Sequence, residues 1–142
     1  MATEGRRTFD LSLVTPEGPA FEGEAEMVIV PGAAGEIGVL ARHAPLVATL
    51  KAGSTRIYER RDAEPQEFAT GPGFFQVQLD RAIALVDDAA NAEHIDRERA
   101  QQQLDDAQRE LEAVERGESQ ADRWQLEQRI RHAENQLSVA GS

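Results

Sequence analysis

The sequence predicts an N-terminal antiparallel β-sandwich or barrel over residues 1–88, followed by a C-terminal antiparallel two-helix hairpin over residues 89–142. Two patterns carry this prediction. Up to about residue 88, short alternating apolar runs are separated by Gly and Pro, which is typical of sandwiches and barrels. Beyond Asn91, Gly and Pro are absent as far as Gly117, and apolar residues recur at helical spacing.

Each predicted strand is short and ends at a turn signal. Residues 9–13 alternate apolar and polar side chains, and residues 16–18, Pro-Glu-Gly, form a predicted turn after them. No long helical segment interrupts this half, which disfavours a parallel βαβ sheet. The predicted strands lie, in chain order, at 9–13, 25–30, 37–40, 46–50, around 55–57, 68–70, 75–79 and 82–86.

The helical half carries two apolar stripes that can pack against each other as a hairpin. Ser119 is the predicted N-cap of the second helix, with Asp122 in its first turn. The first helix, of about 22 residues, would be roughly 33 Å long. Trp124 is predicted to clamp the helices near their loop. The stripes are Ala100, Leu104, Ala107, Leu111 and Val114, then Leu126, Ile130, Ala133 and Leu137.

Several positions along the contact between these stripes are Ala, where a stable isolated coiled coil prefers Leu. The hairpin is therefore predicted to be weakly held, so that it docks and undocks readily.

Composition excludes several classes of partner. The formal net charge of −11 repels phosphate backbones and anionic lipid surfaces, so neither nucleic acid nor a lipid surface is predicted. No segment approaches the roughly 20 apolar residues of a membrane span, so direct membrane insertion is not predicted. The chain has no Cys, which excludes thiolate metal sites and thiol nucleophiles.

No arrangement of residues predicts catalysis. The chain has three histidines, His43, His94 and His132, and no two of them share a metal-ligand spacing. The nucleophile-elbow, Walker and dinucleotide-binding motifs are all missing from the sequence. Carboxylates are plentiful, but most fall on predicted solvent faces. The sequence therefore predicts a protein that is not an enzyme and has no metal or catalytic residues.

Three stretches resemble one known family. The segment over residues 28–53, VIVPGAAGEIGVLARHAPLVATLKAG, resembles the N-terminal domain of the epsilon subunit of bacterial F-type ATP synthases. The VTPEG at 14–18 and the NQLSV at 135–139 are similar to the same family, in the same order. The resemblance runs from about residue 9 to 139.

The resemblance implies a non-catalytic rotor subunit in the central stalk that binds the gamma subunit and the c-subunit ring. Such a subunit couples proton flow to ATP synthesis, and its hairpin can contact the alpha and beta subunits and restrain ATP hydrolysis. The implied location is peripheral, at the cytoplasmic face of the bacterial plasma membrane. The alternative is a free-standing ATP-sensing module outside any motor.

The resemblance also points to partner-binding residues. Glu36 and Ile37 match family positions that face the c ring, and His43 matches the histidine of the family's Gly-His-Ala-Pro motif. Here Arg42 replaces the glycine before that histidine and adds a positive charge beside the predicted interface. An exposed turn carboxylate, a core isoleucine and a structural histidine are the alternative interpretations.

A nucleotide site is implied by residues 95–100, IDRERA, which resemble an ATP-binding motif of some epsilon subunits. Ile95, Asp96, Arg99 and Ala100 are the matching positions, with Asp96 toward adenine or ribose and Arg99 toward phosphate. ATP is therefore expected as a weak regulatory ligand and no cofactor is required. The positions where strong ATP binders carry further arginines are here Asp106, His132 and Gln136.

The charge of the hairpin bears on inhibition of ATP hydrolysis. Residues 94–116 carry four arginines against seven carboxylates, so the first helix offers little positive charge to the acidic loops of a beta subunit. Arg123, Arg129 and Arg131 on the second helix are the candidate inhibitory contacts.

Overall fold

The computed structural model describes residues 7–141. Over that range, ten strands precede a single 3₁₀ turn at Ala92–His94 and two α-helices. The strands are β1 Phe9–Thr15, β2 Gly18–Ala25, β3 Met27–Gly32, β4 Gly35–Leu40, β5 Leu46–Leu50, β6 Gly53–Tyr58, β7 Gln66–Thr70, β8 Gly73–Gln78, β9 Arg81–Val86 and β10 Ala89–Asn91. The helices are α1 Arg97–Glu115 and α2 Arg123–Ala140.

The strands form one strongly bent sheet in the order β10-β7-β6-β3-β5-β8-β9-β1-β2, and β4 pairs with β3 beside this path. Neighbouring strands are antiparallel except β1 and β9, which run parallel. The predicted β-sandwich or barrel followed by a helical hairpin is confirmed. The parallel pair is a departure from an entirely antiparallel sheet, and it lets the first strand join the sheet edge that β9 leaves open.

The core lies between the folded halves of the sheet. Its side chains alternate along the strands with exposed residues, as the period-two pattern predicted. A buried hydrogen bond of 2.9 Å joins the hydroxyls of Thr55 and Thr70, so these two polar side chains are satisfied inside the sheet. The largest fully buried apolar side chains are Phe75, Leu11, Leu13, Leu50, Ile57, Val28, Val30 and Val39.

Strand boundaries differ from the prediction at three places. β2 was not predicted, because it has no β-branched residue, but it pairs with β1 along its length. β10 pairs with β7 and lies beyond the boundary predicted after residue 88, so the sheet continues to Asn91. Leu79 was expected to continue the alternation of β8, yet it is an exposed turn residue with φ 57°.

The hairpin also differs from the prediction at its loop. Asp122, not Ser119, is the N-cap of α2, since its Oδ1 accepts a hydrogen bond of 2.9 Å from the Trp124 N–H. Ser119 instead accepts from the Ala121 N–H within the loop. Trp124 is 63 % exposed, so its predicted role as a clamp between the helices is wrong. The first helix has 19 residues, somewhat shorter than predicted.

The two helices pack along the predicted stripes, with Ala100, Leu104, Ala107, Leu126 and Ala133 buried. The hairpin is docked on the β domain, where α2 contacts β6 and β7. No helix among residues 7–141 is long and apolar enough to cross a bilayer.

Candidate functional site

One face of the sheet leaves large apolar side chains in solvent. Phe74 is 60 % exposed and Leu85 is 48 % exposed, and the register of β8 and β9 places them directly opposite each other. Val47, on β5, is 73 % exposed on the same face. The parallel pairing of β1 with β9 adds Val14 beside Leu85. We call these four residues the apolar strip.

Such a strip is costly in water and is typical of a binding surface. Burying a side chain of this size contributes about 1.5–3 kcal/mol. The strip was not predicted, although the sequence holds a signal for it: adjacent Phe74 and Phe75 must point to opposite faces of a strand, so one of them leaves the core. The structure buries Phe75 and exposes Phe74.

The four predicted partner-binding residues do not form one cluster. Glu36 and Ile37 begin β4, whereas Arg42 and His43 follow its end, about 17–20 Å away at the usual rise per residue. They therefore lie at two separate places on the β domain.

The first place is the start of β4. Glu36 is exposed and accepts two hydrogen bonds, of 3.3 and 3.2 Å, from the Arg56 guanidinium. Ile37 is half-buried and packs against the core, where its side chain lies over Gly32. A side chain at Gly32 would overlap it, which explains glycine at that position. Glu36 is therefore available to a partner, and Ile37 chiefly serves the core.

The second place is the turn after β4. Arg42 is exposed and has φ 65°, a left-handed conformation that is uncommon for residues other than glycine. A glycine would adopt this conformation without strain, whereas Arg42 adopts it and places a positive charge in the turn. The ring nitrogen Nδ1 of His43 lies 2.7 Å from the Ala44 carbonyl oxygen, which fixes the imidazole against the turn.

The predicted nucleotide residues are brought together. Ile95, Asp96, Arg99 and Ala100 line one cavity of about 340 Å³ between the hairpin and the end of β10. Asp96 is the N-cap of α1, and its Oδ1 accepts a hydrogen bond of 3.1 Å from the Arg99 N–H. One Asp96 oxygen is thus committed to the helix.

A larger cavity of about 680 Å³ adjoins the first, because Gln103 and Gln136 line both. A phosphate chain leaving the smaller cavity in this direction would meet three carboxylates and two positive or titratable side chains. The carboxylates are Asp88, Asp106 and Glu110, and the other two are Arg129 and His132. The electrostatics of the larger cavity therefore oppose a highly charged anion.

Asp88 was not identified from the sequence. Burial raises the pKa of its carboxyl, and the negative charges of Asp87 and Glu17 act in the same direction. The charge of His132 and a hydrogen bond from Gln136 act against this shift. A carboxyl with a raised pKa in a cavity is a common feature of functional sites, though ion-pair networks also produce it.

The candidate inhibitory arginines differ in their surroundings. Arg123 Nη1 lies 3.5 Å from Glu115 and 3.7 Å from Glu127, so it is engaged within the hairpin. Arg129 is exposed and lines the larger cavity, and Arg131 is exposed on α2. Among residues 7–141, no group of three or more His, Cys, Asp or Glu side chains is placed to hold a metal ion.

Comparison with known proteins decides the family. The model for "ATP synthase, Delta/Epsilon chain, beta-sandwich domain" matches residues 8–92. The ATP synthase epsilon chain of Rubrobacter xylanophilus is 37 % identical over 143 residues, which cover 99 % of this chain and 96 % of that protein. The chain belongs to the ATP synthase epsilon-chain family. The epsilon chain of Bacillus velezensis is also similar, at 34 % identity over 96 % of this chain and 99 % of its own.

Solved structures agree with the epsilon-chain fold. A chain in the cryo-EM structure of Euglena gracilis mitochondrial ATP synthase, described as OSCP/F1/c-ring in rotational state 1, superposes with a TM-score of 0.71 at 21 % identity. The superposition covers 95 % of this chain and 82 % of that one. At this identity the likeness shows the fold, which includes both the β domain and the hairpin.

Proposed function

We propose that the chain is a non-catalytic rotor subunit in the central stalk of a bacterial F-type ATP synthase, and that it helps couple proton flow to ATP synthesis. Its β domain would bind the gamma subunit and the c-subunit ring. The subunit would then be peripheral, at the cytoplasmic face of the plasma membrane. Membership of the epsilon-chain family supports this role.

The apolar strip is the observation that carries the proposal. A subunit that transmits torque needs a rigid body with a broad interface, and interfaces of this kind have an apolar centre. The strip supplies that centre on a sheet whose opposite face carries the buried core. We assign the strip, with Arg42 and His43 near the start of β5, to the gamma subunit.

Glu36 belongs to a different contact. It lies at the far end of β4 from Arg42, beside the half-buried Ile37. Two separated contact places suit a subunit that bridges two partners, so we assign the Glu36 end to the c ring. The ion pair with Arg56 would hold the Glu36 carboxylate in position before the partner arrives.

The hairpin is proposed as a movable arm that restrains ATP hydrolysis by contacting the alpha and beta subunits. Arg129 and Arg131 are exposed for such contacts, while Arg123 would first have to leave Glu115 and Glu127. ATP is proposed as a weak regulatory ligand of the docked hairpin, held by the cavity at Ile95, Asp96, Arg99 and Ala100. The carboxylates in the adjoining cavity account for the weakness.

The test of the proposal is assembly on the complex. Phe74→Asp places a charge at the centre of the apolar strip, where its desolvation on binding would be unfavourable. In cells that lack their own epsilon chain, we expect this variant to co-purify with the ATP synthase at least tenfold less than the unaltered chain, a loss of about 1.4 kcal/mol or more.

Gln120→Asp is the matched control, since it adds the same charge in the exposed interhelical loop. Circular dichroism verifies that both variants fold. Equal co-purification of the two variants would reject the strip as the interface. A chain that never co-purifies with an ATP synthase would favour the alternative, a free-standing ATP-sensing module with its site in the smaller cavity.

A further inference from the structure

The corner between β9 and β10 holds two consecutive carboxylates against the hairpin. The Gly71 N–H donates to the Asp88 carbonyl at 2.9 Å, and the Asp87 N–H donates to the Pro72 carbonyl at 3.1 Å. A side chain at Gly71 would overlap the Asp87 carboxylate, so glycine there makes room for it. The Gly-Pro-Gly turn thus holds the backbone of both residues and leaves room for the Asp87 carboxylate.

His132 of α2 faces this corner. Its Nε2 lies 3.3 Å from Asp87 Oδ2, and its side chain lines the larger cavity together with Asp88. Gln136, one turn later on α2, hydrogen-bonds to the Asp88 side chain. Two residues of the hairpin therefore contact two carboxylates of the β domain.

Other charged side chains surround the pair. Arg129 comes from α2, Asp106 and Glu110 come from α1, and Glu17 comes from the turn between β1 and β2. Ordinary carboxylates and guanidinium groups keep one charge state between pH 6 and pH 8. Histidine is the side chain whose ordinary pKa, about 6.5, lies in this range.

We propose that His132, Asp87 and Asp88 form a proton-operated latch that holds the hairpin on the β domain more tightly as the pH falls. When the hairpin lifts, the imidazole leaves Asp87 and the Asp88 carboxyl becomes hydrated. The docked state therefore binds more protons than the lifted state. By linkage, docking strengthens toward pH 6 and weakens toward pH 8.

The contact between His132 and Asp87 carries this dependence, because a protonated imidazole gains a carboxylate partner only when the hairpin is docked. Burial raises the pKa of the Asp88 carboxyl, so that group favours docking at low pH and stops doing so as the pH rises through its raised pKa. Only the consequence of the latch rests on the proposed function: if the hairpin is a regulatory arm, that arm is freer to move at higher pH. Docking itself belongs to the single chain and can be measured without the complex.

Ala69 provides a probe of docking. It is 1 % exposed and lies on β7 next to Phe68, whose side chain is in the core. Strand alternation points Ala69 to the opposite face, which the hairpin covers. Because the chain has no natural Cys, Ala69→Cys introduces a single thiol that reacts only when the hairpin lifts.

The experiment measures the rate of thiol labelling in the full-length Ala69→Cys chain from pH 6 to pH 8. Each rate is divided by that of the urea-unfolded chain at the same pH, which removes the intrinsic pH dependence of the thiol. We expect the corrected rate to rise about two- to fivefold over this range, the size expected of a partly exposed ion pair.

Three variants in the Ala69→Cys background assign the effect. His132→Gln should remove most of the rise and label at the faster rate throughout, and His132→Arg should stay slow and flat because guanidinium keeps its charge. Glu134→Gln, at an exposed position of the same helix, should behave as the parent. A parent rate that is flat with pH, or an undiminished rise in His132→Gln, would overturn the latch. Neither result would bear on assembly with the ATP synthase, so the latch and the proposed function fail separately.

Discussion

Asp106 is one of two hairpin carboxylates, with Glu110, that line the larger cavity and oppose an anionic ligand there. Its side chain lines the larger cavity, where a phosphate chain from the motif cavity would lie. The Gln102 amide donates to its Oδ1 at 2.9 Å, which holds the carboxylate in place. Asp106 is therefore expected to contribute to weak ATP binding, and it can be changed without touching the motif.

We predict that Asp106→Arg tightens ATP binding by about tenfold or more. The change removes a repelling negative charge and adds a guanidinium group that can form two parallel hydrogen bonds to phosphate. Calorimetry on the full chain measures the effect. Asp105→Arg is the matched control, because it makes the same charge change on the neighbouring exposed residue, which does not line either cavity. Equal heats for both variants would mean that nucleotide does not enter the larger cavity.

The role of a residue could be predicted from the sequence where that role depends only on its neighbours along the chain. Asp96 was expected near the positive end of a helix, and it is the N-cap of α1. The contact between His132 and Asp87 was not predicted, because 45 positions separate them and only the docking of the hairpin brings them together. No spacing rule in the sequence reports such a pair.

At the level of elements, Asn135 joins the hairpin to the sheet. Its amide nitrogen donates to the Gly53 carbonyl at 3.2 Å and to the Thr70 carbonyl at 3.0 Å. Two strands are therefore tied to α2 through one side chain. Apolar periodicity could not predict this role, since it treats Asn135 as a neutral position beside the stripe.

We predict that Asn135→Ala weakens docking, because two partly buried carbonyls lose their partner at a cost of about 1–3 kcal/mol. In the Ala69→Cys chain, thiol labelling at pH 7 should accelerate by at least fivefold. Glu134→Ala, an exposed neighbour on α2, is the control and should label as the parent does. Unchanged labelling in Asn135→Ala would show that apolar contacts alone hold the hairpin.

The hairpin contact itself was predictable, since helical periodicity identified Ala100, Leu104 and Ala133 correctly as buried. Trp124 was misjudged because size and apolarity suggest burial, whereas in the first turn of α2 it is largely exposed and lines a shallow cavity with Asp87 and His132. Periodicity identifies the buried face of a helix but does not show which residues at its end the partner helix covers.

For the whole molecule, alternation and turn signals predicted the class of fold but not the order of its strands. The parallel pairing of β1 with β9 joins residues about 70 positions apart, and hydrophobic alternation is silent about strand order. That pairing matters for function, because it sets Val14 beside Leu85 and extends the apolar strip. β10 matters for the same reason, because it places Asp87 and Asp88 beneath α2.

The β domain and the hairpin have separate proposed roles, assembly with coupling and restraint of hydrolysis, and this separation leads to the last prediction. Deleting residues 93–142 leaves β10 paired with β7 and leaves the apolar strip intact, so the shortened chain should still assemble on the complex. If the arm restrains hydrolysis, the complex should then hydrolyse ATP faster. We expect roughly a fivefold rise, the low end of typical coupling between sites, because α1 carries more carboxylates than arginines and can contribute little attraction to acidic loops.

ATP hydrolysis and synthesis by membrane vesicles, normalised to the amount of assembled complex, measure the outcome. Synthesis should be unchanged, since the β domain alone would transmit torque. If the complex hydrolyses ATP no faster than it does with the full-length chain, the hairpin does not restrain hydrolysis. Coupling by the β domain would then be the remaining proposed role. A loss of assembly would instead indicate that the hairpin contributes to binding, which the strip variant Phe74→Asp tests independently.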